Sequence, residues 1–195
     1  MSGTDEQESP SSATELVTLV VRAQDGDLAS FEGLVERFEG RLFGMAYRML
    51  GNRLDAEDTV QETFIKVWSK LGDLRHPEAF STWLYRQAAN HCQDTLRSRA
   101  AQATAPVDAG YMEETLGDAR QQDPARQVEA ASSMDALAAL LQELPQEQRL
   151  CWVLRELQGL SYQEISDSLD VTGATVRGRL ARARKALAEG MGDWR

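Results

Sequence analysis

A chain of 195 residues with 42% hydrophobic and 27% charged side chains makes one domain or two small ones and is too apolar to be disordered throughout. No apolar run approaches the roughly 18 residues of a membrane span, the acidic, Ser-rich start is neither a signal nor a transit peptide, and Cys92 and Cys151 make no disulfide framework, so a cytoplasmic chain without membrane insertion is expected. The net charge of −10 argues against nucleic acid only as an average, because charge acts over a Debye length of about 8 Å.

The expected elements are helices throughout. Ser12-Ala-Thr-Glu15 reads as a capping box that opens a first helix to about Ala23, after an N-terminal tail, 1–13, expected to be disordered. Asp27 is placed as the N-cap of a long helix ending at Gly51-Asn52, with Phe31, Leu34, Val35, Phe38, Leu42, Met45, Ala46 and Met49 on one stripe. Asp55 is expected to cap a third helix to about Lys70, with Val60, Phe64, Val67 and Trp68 on one side. A short loop, Gly72 to Pro77, leads to a fourth helix ending near Arg99. On that helix Phe80, Leu84, Ala88 and Thr95 share one face, while Arg86, Gln93 and Arg97 share the other with Asn90 beside them.

Residues 100–133 lose apolar periodicity and carry Pro106 and Pro124, which reads as an acidic linker with a helix starting near Pro124. Met134, Leu137, Leu140, Leu141 and Leu144 then recur at helical spacing up to Pro145, and Leu150, Val153, Leu154 and Leu157 mark a further helix stopped by Gly159.

Ser161-Tyr-Gln-Glu164 is a capping box that opens a short helix with Ile165 and Leu169 inward. Asp170-Val-Thr-Gly173 is the turn, and a second helix runs from about Ala174 to Ala188: a helix-turn-helix. At about 100° per residue, Val176, Leu180, Ala183 and Leu187 face the core. Ala174, Thr175, Gly178, Ala181, Arg182 and Lys185 face outward, flanked by Arg177 and Arg184 on one side and Arg179 on the other. Five bases and no acid between Ala174 and Ala188, on an acidic chain, suit Arg for base edges and Arg or Lys for phosphates. Gly178, costing about 1 kcal/mol inside a helix, is either a tolerated defect or room for backbone to approach DNA.

Other constellations are plain. His91 lies beside Leu84 and Ala88 and reads as a core histidine with its hydrogen bonds satisfied; Cys92 and Cys151 read as buried thiols. No metal site, cofactor motif or catalytic motif is recognisable, so an enzyme is not expected.

The segments Tyr47-Arg-Met-Leu-Gly-Asn52, Asp55-Ala-Glu-Asp-Thr-Val-Gln-Glu-Thr-Phe-Ile-Lys-Val-Trp68 and Phe80-Ser-Thr-Trp-Leu-Tyr-Arg86 resemble region 2 of the extracytoplasmic-function (group 4) sigma factors of the sigma-70 family. Leu144-Pro145, Gly159-Leu-Ser-Tyr-Gln-Glu-Ile165 and Thr175-Val-Arg-Gly-Arg-Leu-Ala-Arg-Ala-Arg184 resemble its region 4. The resemblance implies an all-α chain of two helical domains, region 2 over 14–99 and region 4 over 134–195, joined by a flexible linker over 100–133. It implies a protein that binds RNA polymerase core through the clamp helices of the largest subunit and the flap region, and directs it to promoter DNA.

On matching positions, Asp55, Asp58, Gln61, Glu62 and Lys66 would meet the polymerase. His76, Trp83, Arg86, Asn90, Gln93 and Arg97 would read the −10 element as a melted, partly flipped strand. Thr175, Arg177, Gly178, Arg179, Ala181, Arg182, Arg184 and Lys185 would read the −35 element as duplex. An anti-sigma partner is also implied.

The chain departs from the family pattern in having Thr172-Gly173-Ala174 instead of a Pro-Val-Gly-like turn, and Gly178 and Ala181 where larger side chains are common, so base readout is expected to rest on Arg177 and Arg182 with help from DNA shape. The rivals are a helix-turn-helix regulator that dimerises on an operator without polymerase, and a helical adaptor that binds only protein.

Overall fold

The computed structural model describes residues 10–104 and 137–192, so residues 1–9 of the expected tail, most of the linker and the helix expected near Pro124 lie outside the described residues, while residues 10–13, expected to be disordered, belong to the first helix. Among the described residues the regular structure is helical, in two blocks. The first comprises α1 (Pro10–Gln24), α2 (Leu28–Leu50), α3 (Arg53–Lys70) and α4 (Phe80–Thr104), with single 3-10 turns at Leu71–Asp73 and Pro77–Ala79 between α3 and α4. The second comprises α5 (137–143), α6 (Gln146–Trp152) running into a π-helical turn at Val153–Leu157, α7 (Tyr162–Leu169) and α8 (Gly173–Gly192).

The α2 stripe is the centre of the first block. Phe31, Leu34, Phe38, Leu42, Met45, Ala46 and Met49 are all buried, and Val35 is half-buried at its edge. Phe38 meets Phe80 and Tyr85 of α4 edge-on, with ring centroids 5.6 and 6.3 Å apart, which is the favoured geometry for rings with a negative face and a positive edge. Asp27 caps α2 as expected, accepting from the Ala29 amide at 3.2 Å and the Ser30 hydroxyl at 2.6 Å.

Two other caps differ from expectation. α1 begins by Pro10, so Ser12 sits inside the helix and accepts a hydrogen bond from Arg37 on α2 instead of capping. The cap of α3 is Asn52, whose side chain accepts from the Asp55 amide at 3.1 Å. Asp55 lies in the first turn, where its carboxylate pairs with Arg99 of α4. Asn and Asp are equally good caps, and the tight turn at Gly51 brings Asn52 to the position first.

The last carbonyls of α2 join the two blocks. The Gly51 amide, from a left-handed φ of +69°, donates to Tyr47 O at 2.8 Å. Gln142 Nε2 donates to Arg48 O at 2.8 Å, Arg149 Nη1 to Met49 O at 2.6 Å and Arg99 Nη1 to Leu50 O at 2.9 Å. Two of these donors come from the second block. Helix ends leave four carbonyls without partners and carry about half a negative charge, so a buried guanidinium finds both acceptors and compensation there. Arg149 is only 7% exposed, and burial lowers its pKa from the ordinary arginine range. It also binds Gln142 O at 2.7 Å and Leu144 O at 3.1 Å, holding the α5–α6 corner.

Candidate nucleic-acid and polymerase surfaces

The helix-turn-helix forms as its sequence directs. Ser161 Oγ accepts from the Glu164 amide at 3.2 Å, and Glu164 Oε2 accepts from the Ser161 amide at 2.8 Å. The residue that bends the turn is Asp170, in the left-handed region at φ 50°, rather than Gly173; Asp tolerates this conformation better than most side chains. Thr172 then caps α8, accepting from the Thr175 amide at 3.2 Å, and the Thr175 hydroxyl lies 2.9 Å from that of Thr172. Thr175 is thereby fixed at the tip of the helix. The sequence signal for this cap is Thr172, three residues before Thr175, inside the expected turn Asp170–Gly173.

Val176, Leu180, Ala183 and Leu187 are buried, which fixes the outward face of α8. Thr175 and Gly178 are partly exposed there, and Arg177, Ala181, Arg182 and Lys185 are exposed. Neither Arg177 nor Arg182 has an ion pair among the described residues, and Lys185 has only a 3.8 Å contact with Glu189. Two other expected DNA residues are paired with acids of the same domain. Arg179 is 15% exposed and pairs with Glu147 of α6, and Arg184 pairs with Glu156 of the π-helical turn at 2.6 Å. Their guanidiniums brace α8 against α6 and its π-helical turn.

A Cβ built on Gly178 would meet only the Arg182 guanidinium, at 3.5 and 3.9 Å, which is ordinary contact. Packing within the chain therefore does not require glycine here. Gly178→Ala is expected to stabilise the domain by about 1 kcal/mol while weakening duplex promoter binding about tenfold, or 1.4 kcal/mol, if backbone approach is its use. Thermal unfolding and a −35 binding assay read the two effects separately.

On the first block, the expected melted-strand residues line the start and outer face of α4. Gln24 of α1 holds the loop before it, donating to Leu71 O at 2.9 Å and Leu74 O at 2.7 Å. His76 pairs with Glu78 at 3.1 Å on the surface. Trp83 is half-buried with its ring tilted on Phe80 at 6.2 Å. Arg86 and Asn90 are exposed, and Arg86 has no ion pair among the described residues; Arg97 pairs with Asp94 at 3.1 Å, and Gln93 is half-buried. His76, Trp83 and Arg86 share one cleft, joined by Arg75, which sequence reasoning had passed over. Gln93 and Arg97 instead border a separate cleft beside Glu147 and Arg179.

The expected polymerase face of α3 is more than a polar surface. Asp58, Gln61 and Glu62 are exposed and Lys66 is half-buried, whereas the Asp55 carboxylate is engaged with Arg99. Beside Gln61 runs an apolar groove of about 870 Å³ between α2 and α3, floored by Phe31, Val60 and Phe64 and edged by Leu28, Ile65 and Trp68. Ile65 is 64% exposed, Leu28 57% and Trp68 40%. Trp68 is thus a rim residue, not part of the buried α3 stripe; its ring lies 4.7 Å from that of Phe31. Ile65, one position off the stripe, was the sequence signal for this groove.

His91 departs from the expected satisfied histidine: Nδ1 is 3.4 Å from Glu62 Oε2, and the buried Nε2 has no hydrogen-bond partner among the described residues. Cys92 and Cys151 are buried and free, and burial pushes the Cys92 thiol up to about 12.

Comparison with known proteins follows the two blocks. The profile of Sigma-70 region 2 matches residues 34–102, and that of Sigma-70, region 4, matches residues 134–187. The RNA polymerase sigma-H factor of Pseudomonas aeruginosa is 36% identical over 174 residues, covering 87% of this chain and 90% of that protein. The ECF RNA polymerase sigma-E factor of Escherichia coli K12 is 35% identical over 173 residues, covering 87% and 90%. Among solved structures, CnrH in complex with the cytosolic domain of CnrY aligns with a TM-score of 0.69 at 25% identity, over 92% of this chain and 98% of that one. The sigma factor RpoE in complex with the anti-sigma factor NepR, from Bartonella quintana, has the same fold, with a TM-score of 0.64 at 20% identity over 85% and 98%.

Proposed function

Since the chain belongs to the extracytoplasmic-function sigma factors of the sigma-70 family, whose members direct RNA polymerase to promoters, we propose the division of that task among its surfaces. Residues 14–99 act as region 2 and residues 134–195 as region 4, with 100–133 linking them. The α2–α3 groove takes the clamp helices of the largest polymerase subunit: Leu28, Ile65 and Trp68 supply apolar area, while Asp58, Gln61, Glu62 and Lys66 set orientation. Region 4 meets the flap. Asp55 positions α3 on α4 through Arg99 instead of meeting the polymerase.

Trp83, Arg86 and Asn90, with His76 and Arg75, take the melted −10 strand. The half-buried Trp83 ring, lining the cleft, offers a stacking surface and Arg86 a phosphate contact. Gln93 and Arg97 extend that face along α4. Thr175, Arg177, Gly178, Ala181, Arg182 and Lys185 meet the −35 duplex, with Arg179 and Arg184 holding α8 in place.

The observation that carries this reading is the outward face of α8, where Arg177 and Arg182 stand without acidic partners among the described residues of a chain whose net charge is −10. With Gly178 and Ala181 bare, these two arginines are the long side chains that reach base edges. Arg182→Ala should flatten sequence preference at one −35 position by about tenfold, since a good bidentate contact is worth roughly 1–3 kcal/mol. Equal weakening on every sequence would make Arg182 a phosphate contact instead.

The chemistry of transcription stays with the polymerase, and the site of action is the cytoplasm; no helix of the described residues is long and apolar enough to cross a membrane. CnrH and the Bartonella RpoE were solved with CnrY and the anti-sigma factor NepR, respectively, which supports an anti-sigma partner for this chain as well.

A further inference from the structure

Helix α1 ends on Gln24, just after the buried residues Val20 and Ala23, so this side chain starts from a fixed place. Its amide nitrogen carries two N–H groups, and Nε2 donates to Leu71 O at 2.9 Å and to Leu74 O at 2.7 Å. These carbonyls bracket the 3-10 turn after α3, which the Leu74 amide closes on Leu71 O at 3.2 Å. One amide thus staples the turn to α1 across 47 and 50 positions of chain. The residues that leave the turn, Leu74, Arg75 and His76, form one wall of the cleft assigned to the melted strand, and Trp83 and Arg86 of α4 line the other. The two walls are held differently. The α4 wall is fixed by Phe80, Leu84 and Tyr85, all buried, with Phe80 and Tyr85 against Phe38 of α2. Arg75 and His76 are exposed, so the loop wall takes its position from its main chain. That main chain is held by Gln24 at one end and by the Pro77 turn at the other, where the Ala79 amide donates to His76 O at 2.9 Å.

We propose that Gln24 is a positioning residue for −10 recognition: it sets how far the Leu74–His76 wall stands from Trp83, and so which bases the cleft accepts. The inference rests on the assignment of the melted strand to this cleft. Gln24 acts from behind the loop, through main-chain carbonyls, and makes no contact with the strand itself. Stacking on Trp83 and the phosphate contact of Arg86 belong to α4, and both serve any sequence. Choice among bases needs a facing wall held in register, and a wall looser by about 1 Å loses that function. Loss of the staple therefore costs discrimination before it costs affinity. Water can replace the amide as donor to either carbonyl, but it does not tie the loop to α1.

The test is Gln24→Leu in the full chain, close in size and without donors. Run-off transcription with core polymerase is measured on a promoter mapped with the unmodified chain and on versions with each −10 base changed in turn. Preference at one or more −10 positions should fall about tenfold, within the range of a single mismatched base pair. Activity on the mapped promoter should fall by less than the preference does, and preference at the −35 element should stay. Gln24→Lys, whose ammonium again supplies donors for both carbonyls, should recover most of the −10 preference. Unchanged −10 preference in Gln24→Leu, or an equal fall on every version of the promoter, would overturn the proposal. Arg86→Ala, measured beside it, tests the underlying assignment and should weaken every version alike. If Arg86→Ala weakens none, the melted strand does not lie in this cleft and the proposal falls with that assignment. Should Gln24→Leu fail to fold, Gln24→Asn keeps the amide on a side chain too short to span both carbonyls. A smaller loss of −10 preference is then expected, and no loss overturns the proposal equally.

Discussion

Ile65→Glu is expected to reduce binding to core RNA polymerase by at least about a hundredfold, or 2.7 kcal/mol, with little change in thermal stability. Ile65 is 64% exposed in the free chain, so the substitution removes almost no packing. In the complex it would set a carboxylate on the rim of an apolar groove, between Leu28 and Trp68. Desolvating a charge without a partner costs several kcal/mol. Interface energy also concentrates in central aromatic and apolar anchors, so Trp68→Ala should follow in the same direction. Gln61→Ala, which removes one polar contact, should cost less. Co-migration with core polymerase, beside unfolding curves of the free variants, separates a binding defect from a folding one. Unaltered binding by Ile65→Glu would move the polymerase contact off this groove.

Arg149→Met is the second large effect, and it falls on stability. The guanidinium bridges Met49 O, Gln142 O and Leu144 O, and the side chain is 7% exposed. Methionine fills the stem but leaves these buried carbonyls without their donors. Each unsatisfied buried acceptor costs about 1–3 kcal/mol, so a total near 3–5 kcal/mol is expected, a large share of the roughly 5–15 kcal/mol that holds a typical protein together. At about 2–4 °C per kcal/mol for a chain of this size, the midpoint should drop by roughly 10 °C. Arg149→Lys keeps the charge but offers no fork of donors for three acceptors, and should fall between the two. A midpoint unchanged in Arg149→Met would mean that water replaces the guanidinium at no cost.

These two residues also mark where sequence reading succeeds and where it stops. Local chemistry was legible: the Ser161–Glu164 capping box, the Asp27 cap, the α2 stripe and the buried face of α8 follow from spacing alone, because each depends on neighbours within a turn or two. Arg149 was not legible. Its acceptor across the blocks, Met49 O, is a main-chain carbonyl 100 positions away, and a carbonyl has no letter in the sequence. The cap of α3 failed for a milder reason: Asn52 and Asp55 are both good capping residues, and only the preceding turn decides which is used.

The candidate surfaces divide the same way. Residues on the outward face of α8 were found by angle, but angle could not separate Arg177 and Arg182 from Arg179 and Arg184, whose acidic partners sit 28 to 32 residues earlier in the chain. The α2–α3 groove needed two helices to be placed side by side before Leu28 and Ile65 became neighbours. The unpartnered Nε2 of His91 likewise depends on what α3 brings to α4.

The central claim is that this chain selects promoters only as part of the polymerase. Run-off transcription with purified core polymerase on genomic fragments, followed by mapping of transcript starts, tests it most directly. The account predicts starts that depend on the added chain and share two upstream elements, with the preference at one position of the distal element altered by Arg182→Ala. Tight, sequence-specific binding of the chain alone to duplex DNA, with no chain-dependent transcripts from core polymerase, would contradict it.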